Sequence, residues 1–224
     1  MSVRVRVAVA GAAGRMGQAV CAAVDGADDL ELTGRADPAL DVPLADVLGD
    51  ADVVVDFTRP DQAVANAREA TAAGVHVVIG TTGFALDDLR AAVQGAPGNC
   101  FVAPNFAIGA VLMMRFATEA ARHMQAAEIV EYHHPAKLDA PSGTAARTAQ
   151  LMAEAAGGAE VPIHSVRLPG IVADQEVILG DVAQTLRIAH VTTDRTSFMP
   201  GVLLAVRRVA SIETSPLVGL EHLL

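Results

Sequence analysis

His133, His134, Lys137, Ser142, Gly143 and Thr144 all fall within the short span 133–144. An imidazole exchanges protons near neutral pH, and an ammonium carries a fixed positive charge. A Ser-Gly-Thr run at a helix start presents unpaired backbone N–H groups and a positive dipole end. Together these groups could protonate a small acidic substrate and hold its carboxylate. Taken singly, each has an ordinary use: paired histidines often sit at a surface, a loop lysine is usually solvated, and a serine before a helix is usually a cap. Their clustering is what points to a site. A zinc centre is disfavoured, because Cys21 and Cys100 lie far away and neither His-x-x-x-His nor Cys-x-x-Cys spacing occurs.

The elements that would position these groups can be read nearby. Residues 128–134 read as a strand, which predicts that the two histidines point to opposite faces. Residues 144–154, rich in Ala, Leu, Met, Gln and Glu, read as a helix. Pro141 and Ser142 stand where helix starts favour those residue types.

A second constellation lies at the N-terminus. The β-branched run 3–10 ends in Gly11, and Gly11, Ala12, Ala13, Gly14, Arg15, Met16 and Gly17 then precede a helix-like stretch from residue 18. Strand, glycine turn and helix let a backbone approach a pyrophosphate whose charge the helix start balances. The spacing is G-x-x-G-x-x-G, a partial match to the common dinucleotide fingerprint. Asp37 closes a short second strand about 20 residues beyond Gly17, the interval at which a carboxylate grips the adenine ribose. A turn acid before Pro38 is the plainer use of the same residue. A carboxylate there favours NADH, while Arg15 and Arg35 could offset its repulsion of a 2′-phosphate, so NADH and NADPH both stay open.

Strands and helices then alternate. Strands are expected over 52–57, 75–79 and 100–103, and helices over 60–73 and 86–93, which implies a parallel sheet with right-handed crossovers. Gly80, Thr81 and Thr82, and Ala103, Pro104, Asn105 and Phe106, fall at the carboxyl ends of such strands with the glycine turn and Asp37. Ligands of these sheets bind at those ends. Beyond Phe106 the pattern changes to a long apolar helix over 108–125, the histidine strand and its helix, then β-rich runs at 163–168, 171–179 and 185–192, read as an antiparallel open sheet. A last helix over 197–210 is expected to return to the first domain. The predicted fold class is α/β: a Rossmann-like doubly wound parallel sheet plus a second α+β domain with an open, mostly antiparallel sheet. The expected domains are 1–105 with 195–224, binding a dinucleotide, and 106–194, binding substrate and assembling the oligomer.

Composition narrows the partners. The chain has 224 residues, 52% of them hydrophobic, enough for one large or two modest cores. A net charge of −10 and the lack of a basic stripe argue against nucleic acid. No apolar run of membrane-spanning length and no signal peptide is visible, and two cysteines suit a reducing compartment, so the expectation is a cytoplasmic chain with no membrane partner.

Gly11 to Gly17, Asp56-Phe-Thr, Gly80-Thr-Thr-Gly-Phe84, Pro104-Asn-Phe106 and the run from Glu131 through His133, Lys137 and Ser142-Gly-Thr to Ala145 together resemble the 4-hydroxy-tetrahydrodipicolinate reductase (dihydrodipicolinate reductase) family over nearly the whole chain. The run from Asp194 to Arg208 is most similar to actinobacterial members. The resemblance implies an NAD(P)H-dependent reduction, with loss of water, of a cyclic dicarboxylate imine precursor on the diaminopimelate route to lysine. It implies His133 as proton donor, Lys137 as a second donor, and His134, Ser142, Gly143 and Thr144 as substrate-binding residues. Gly11, Ala12, Ala13, Gly14, Arg15, Met16, Asp37, Gly80, Thr81, Thr82, Ala103, Pro104, Asn105 and Phe106 would hold NADH or NADPH. Family members are commonly homotetramers joined through second-domain sheets. Two departures stand out: the connection 156–162 is shorter than usual, and Asp37 precedes Pro38 rather than Arg.

Two other readings use parts of the same pattern. A dehydrogenase of sugars or aldehydes shares the architecture but leaves Ser142-Gly-Thr beside Lys137 unexplained. A non-catalytic nucleotide-sensing module needs the glycine turn but neither His133 nor Lys137.

Overall fold

The architecture follows from where the continuous apolar runs fall. The computed structural model describes residues 4–224, so the start of the expected 3–10 run at Val3 lies outside the described residues. One compact unit ends at Phe106 and resumes over Phe198–Leu224; the other is Ala107–Ser197.

In the first unit, β1 (Val5–Ala10), β2 (Leu30–Ala36), β3 (Val53–Asp56), β4 (His76–Ile79), β5 (Cys100–Val102) and β10 (Leu217–Val218) form one sheet in the order β10-β5-β4-β3-β1-β2. Every pairing is parallel. Val7, Val9, Val54, Val55, Val77, Val78 and Phe101 are fully buried. Strands covered on both faces are apolar at nearly every position, which is why Val53 to Val55 in β3 and Val77 to Ile79 in β4 read as unbroken runs. The helices α1 (Arg15–Asp25), α2 (Ala45–Leu48), α3 (Pro60–Ala72), α4 (Leu86–Val93) and α7 (Met199–Arg208) belong to this unit. The chain leaves β1 for β2 on one side and later returns to β3 on the other. That reversal opens a crevice at the carboxyl ends of β1 and β3.

In the second unit, β6 (Ala126–His133), β7 (Ile163–Arg167), β8 (Ala173–Asp181) and β9 (Gln184–Thr192) lie in the order β7-β6-β8-β9. The helices α5 (Ile108–Ala121) and α6 (Gly143–Ala155) enclose a core in which Met113, Ala117, Ile129, Met152, Val177 and Leu179 are buried. One expectation needs correction. The helix expected to reach residue 125 stops at Ala121, because Gln125 donates its N–H to Gly180 and so already belongs to the β6–β8 edge. The second sheet is open and mostly antiparallel as expected, but one pairing departs from that: β6 lies between β7 and β8, parallel to the first and antiparallel to the second. No helix of the described residues is long and apolar enough to cross a membrane.

Candidate active site

Two constellations emerge, one on each unit. On the first, Gly11 turns the chain out of β1 with φ +79°, a conformation that glycine adopts without strain. The N–H groups of Gly11 and Ala12 both reach the Ala36 carbonyl, at 2.9 and 3.2 Å. A Cβ on Gly17 would lie 2.0 Å from the Gly11 carbonyl oxygen, so the third glycine lets α1 pack against the turn. Gly14 caps α1 without a side-chain hydrogen bond, leaving that helix start to the backbone.

Asp37 lies at the end of β2. Its Oδ2 accepts the Ala13 N–H at 3.0 Å and its Oδ1 accepts the Ala39 N–H at 2.8 Å. It therefore caps the following 3-10 turn, the plain use considered for it, and also braces the glycine turn. A cleft of about 710 Å³ opens here, lined by Gly11, Asp37, Val42, Thr58, Arg59 and Asn66 among others.

Gly80, Thr81 and Thr82 follow β4, and Ala103, Pro104, Asn105 and Phe106 follow β5. A Cβ on Gly80 would press into the Phe57 ring at 2.1 Å. The Thr81 hydroxyl, nearly buried, donates to Asp56 Oδ1 at 3.0 Å. Asp56 is fully buried and also accepts from the Thr58 N–H and hydroxyl and from the Asn66 amide. It thus ties the loops after β3 and β4 to α3, a role the sequence reading missed. Phe106 is packed against Phe57 and Phe101, with ring centroids 6.0 and 6.2 Å away. Arg15 is exposed and Met16 half-buried at the first turn of α1.

On the second unit, His133 is the last residue of β6, and His134 lies beyond the strand, exposed. Nδ1 of His133 bonds Oε2 of Glu131, two residues back on the same strand face. Burial lowers the His133 pKa below the ordinary 6.5; Glu131 pulls it up, and the Lys137 and Arg167 charges push it down. Burial alone would raise Glu131, but donors from Arg167, Ser165 and His133 hold it down to about 2. Lys137 bonds both carboxylate oxygens of Asp139, at 2.9 and 2.8 Å.

Ser142 caps α6, its hydroxyl accepting the Ala145 N–H at 3.2 Å, while its own N–H goes to Glu131 Oε1. Gly143, the first residue of α6, is exposed, and a Cβ there would meet nothing within 4 Å. Thr144 follows in the first turn, its carbonyl accepting the Thr148 hydroxyl.

The fold thus brings His133, Lys137 and the start of α6 to one end of β6, with Glu131 beneath them. Glu131 could have been found from its two-residue spacing to His133. Arg167, 36 residues from Glu131, gave no such signal.

Among the described residues no cluster of three or more His, Cys, Asp or Glu side chains is arranged to hold a metal ion. The glycine turn, the Asp37 carboxylate and the cleft beside them do suit a dinucleotide: a positive helix start for phosphates, a ribose-sized acceptor and apolar walls.

Comparison with known proteins adds an independent line. Residues 5–106 match the family model described as dihydrodipicolinate reductase, N-terminus, and residues 109–224 match dihydrodipicolinate reductase, C-terminus. The 4-hydroxy-tetrahydrodipicolinate reductase of Mycolicibacterium smegmatis is 46% identical over 243 residues, covering 98% of both chains. That of Thermobifida fusca is 48% identical over 98% of this chain and 99% of its own. Among solved structures, the dipicolinate-bound dihydrodipicolinate reductase from Paenisporosarcina sp. TG-14 superposes with a TM-score of 0.84 at 33% identity, covering 99% of this chain and 100% of that one.

Proposed function

Because the chain belongs to the dihydrodipicolinate reductase family, we propose that it reduces 4-hydroxy-tetrahydrodipicolinate to tetrahydrodipicolinate with NADH or NADPH, on the diaminopimelate route to lysine. The first unit is the dinucleotide-binding unit and the second binds the dicarboxylate substrate. The observation that carries the reading is the convergence of His133, Lys137 and the Ser142-capped start of α6 at one end of β6.

When bound, the reduced nicotinamide supplies the hydride. Gly11 to Met16 would hold its pyrophosphate and Asp37 its ribose, with Gly80 to Thr82 and Ala103 to Phe106 framing the remainder. Adding a hydride to a conjugated imine builds electron density that a proton must quench. His133 is placed to give that proton from Nε2, because Nδ1 is committed to Glu131. Lys137 is a second donor or a clamp for one carboxylate. His134, Ser142, Gly143 and Thr144 grip the substrate, with Ser142 acting from inside by capping α6 and the helix start facing the carboxylate.

The same reading makes the enzyme a cytoplasmic homotetramer joined through second-unit sheets. Val191, 63% exposed on the β9 face turned away from the core, supports a covered sheet face. Sedimentation at micromolar concentration tests it, and a monomer would refute it.

The activity is tested by mixing the chain with freshly prepared substrate and each reduced cofactor and following nicotinamide absorbance. Oxidation of at least one cofactor is expected, with inhibition by pyridine dicarboxylates. His133→Gln should lower turnover by about 100-fold, the usual share of general acid catalysis. Unchanged turnover would remove His133 from that role.

A further inference from the structure

Among the described residues, Glu131 and Asp56 are the carboxylates with no exposed surface. A carboxylate taken out of water needs its lone pairs filled. Oε1 of Glu131 accepts from Arg167 Nη2 at 2.9 Å and from the Ser142 N–H at 3.2 Å; Oε2 accepts from Arg167 Nη1 at 2.9 Å and from His133 Nδ1. The terminal nitrogens of Arg167 also donate to two carbonyls, of Val166 and of Asp139, each at 2.8 Å. A guanidinium with both terminal nitrogens so engaged has little left for a substrate carboxylate. Arg167 is built into the protein's own framework instead.

We infer that Glu131 and Arg167 are positioning residues that hold His133 with Nδ1–H toward the protein and Nε2 toward the substrate, while fixing the start of α6 through the same carboxylate. The inference rests on the reading of His133 as the proton donor. A carboxylate paired with the Arg167 guanidinium and already accepting the Ser142 N–H is ionised and can only accept, so Nδ1 must carry hydrogen whether the ring is neutral or charged. Nε2 alone then exchanges the proton. The charged groups acting on the ring are Glu131 on its own strand, Arg167 from β7 and Lys137 from the following loop. Arg167 prevents the Glu131–imidazolium pair from becoming so strong that the proton stays on the ring. Through the Asp139 carbonyl and the Ser142 N–H, the pair also anchors the loop that carries Lys137.

The test combines one measurement on the unmodified enzyme with three variants. Nitrogen NMR of labelled histidine in the wild-type enzyme should show neutral His133 as the Nδ1–H tautomer. Glu131→Gln should lower kcat by about tenfold or more, as loss of an orienting partner commonly does. It should also move the high-pH fall of kcat/KM to lower pH, because the charge that favours the protonated ring is gone, and leave the KM for reduced cofactor unchanged. Arg167→Lys, which keeps the charge but not the fork, should lose less activity than Glu131→Gln. A dominant Nε2–H tautomer, or an unmoved pH profile in Glu131→Gln, would overturn the inference while a slow His133→Gln still upheld the function. A fully active His133→Gln would overturn both. If Glu131→Gln does not fold, the wild-type tautomer decides alone.

Discussion

The Lys137 ammonium lies 2.9 and 2.8 Å from the two carboxylate oxygens of Asp139, two residues further along the same loop. Asp139 is more than half exposed, whereas Lys137 is mostly covered. The hydrogen bond from Lys137 holds the Asp139 carboxyl below its usual range. A substrate carboxylate that reaches Lys137 must therefore displace a carboxylate already there.

From that competition follows a substitution with an uncommon direction. Asp139→Asn should lower the KM for the dicarboxylate a few-fold, because the ammonium is released, with little change in melting temperature. Lys137→Ala should instead raise KM, lower kcat or do both. Steady-state kinetics on the two variants check this. A raised KM in Asp139→Asn would mean that the carboxylate orients Lys137 rather than competing for it.

Asp37 has two separable uses. Its oxygens brace the Ala13 and Ala39 N–H groups, a service that any dinucleotide would need equally. A ribose diol grip would serve NADH alone. Asp37→Ala is expected to raise the KM for NADH by about tenfold, the worth of a charge-assisted hydrogen bond. The KM for NADPH should change much less, because the carboxylate that repels its 2′-phosphate is removed. Equal losses with both cofactors would leave Asp37 as a loop anchor only.

How much of this was legible depended on sequence distance. The strands of the parallel sheet announced themselves because Val53 to Val55 and Val77 to Ile79 are buried on both faces, and nothing else needs such runs. The glycine turn was legible because only glycine tolerates the Gly11 conformation and the contact at Gly17. By contrast β10 has two residues and α2 four, too few to carry a period. Nor could the place of β6 between β7 and β8 be read, since neighbouring runs suggest hairpins and a parallel partner leaves no local mark. The site divides the same way. His133, Lys137 and Ser142 were found because they share one loop. Arg167 was missed because only the β6–β7 pairing brings it to Glu131.

Acid should weaken the fold in two stages. Burial is the main cause that lowers the pKa of His76, His133 and His190 below the ordinary 6.5. The unfolded chain therefore binds more protons than the folded one just below that value, so stability falls as pH drops through it. Glu131, held down to about 2 from 4.5, adds a second loss only below about 4.5. His76 Nδ1 accepts the Asn99 N–H at 3.0 Å, a bond that protonation at Nδ1 would break. Melting temperatures should stay level from about pH 8 to 7 and fall towards pH 5, and His76→Gln should flatten that fall. A flat wild-type curve over the same range would contradict the burial argument.

Gly17 and Gly143 separate what the fold demands from what a ligand demands. At Gly17 an added Cβ would lie 2.0 Å from the Gly11 carbonyl oxygen, backbone against backbone, with no flexible atom to yield. Gly17→Ala should therefore destabilise the first unit and weaken cofactor binding together, seen as a lower melting temperature and a loss of NADH fluorescence enhancement. At Gly143 the same methyl group would meet nothing within 4 Å, and alanine is the better helix former. Gly143→Ala should fold as well as the parent or better. If the start of α6 takes a substrate carboxylate against its backbone, the methyl group will stand in the way, and KM for the dicarboxylate should rise about tenfold or more with NADH affinity unchanged. A Gly143→Ala enzyme with unaltered KM would place the carboxylate elsewhere on the second unit.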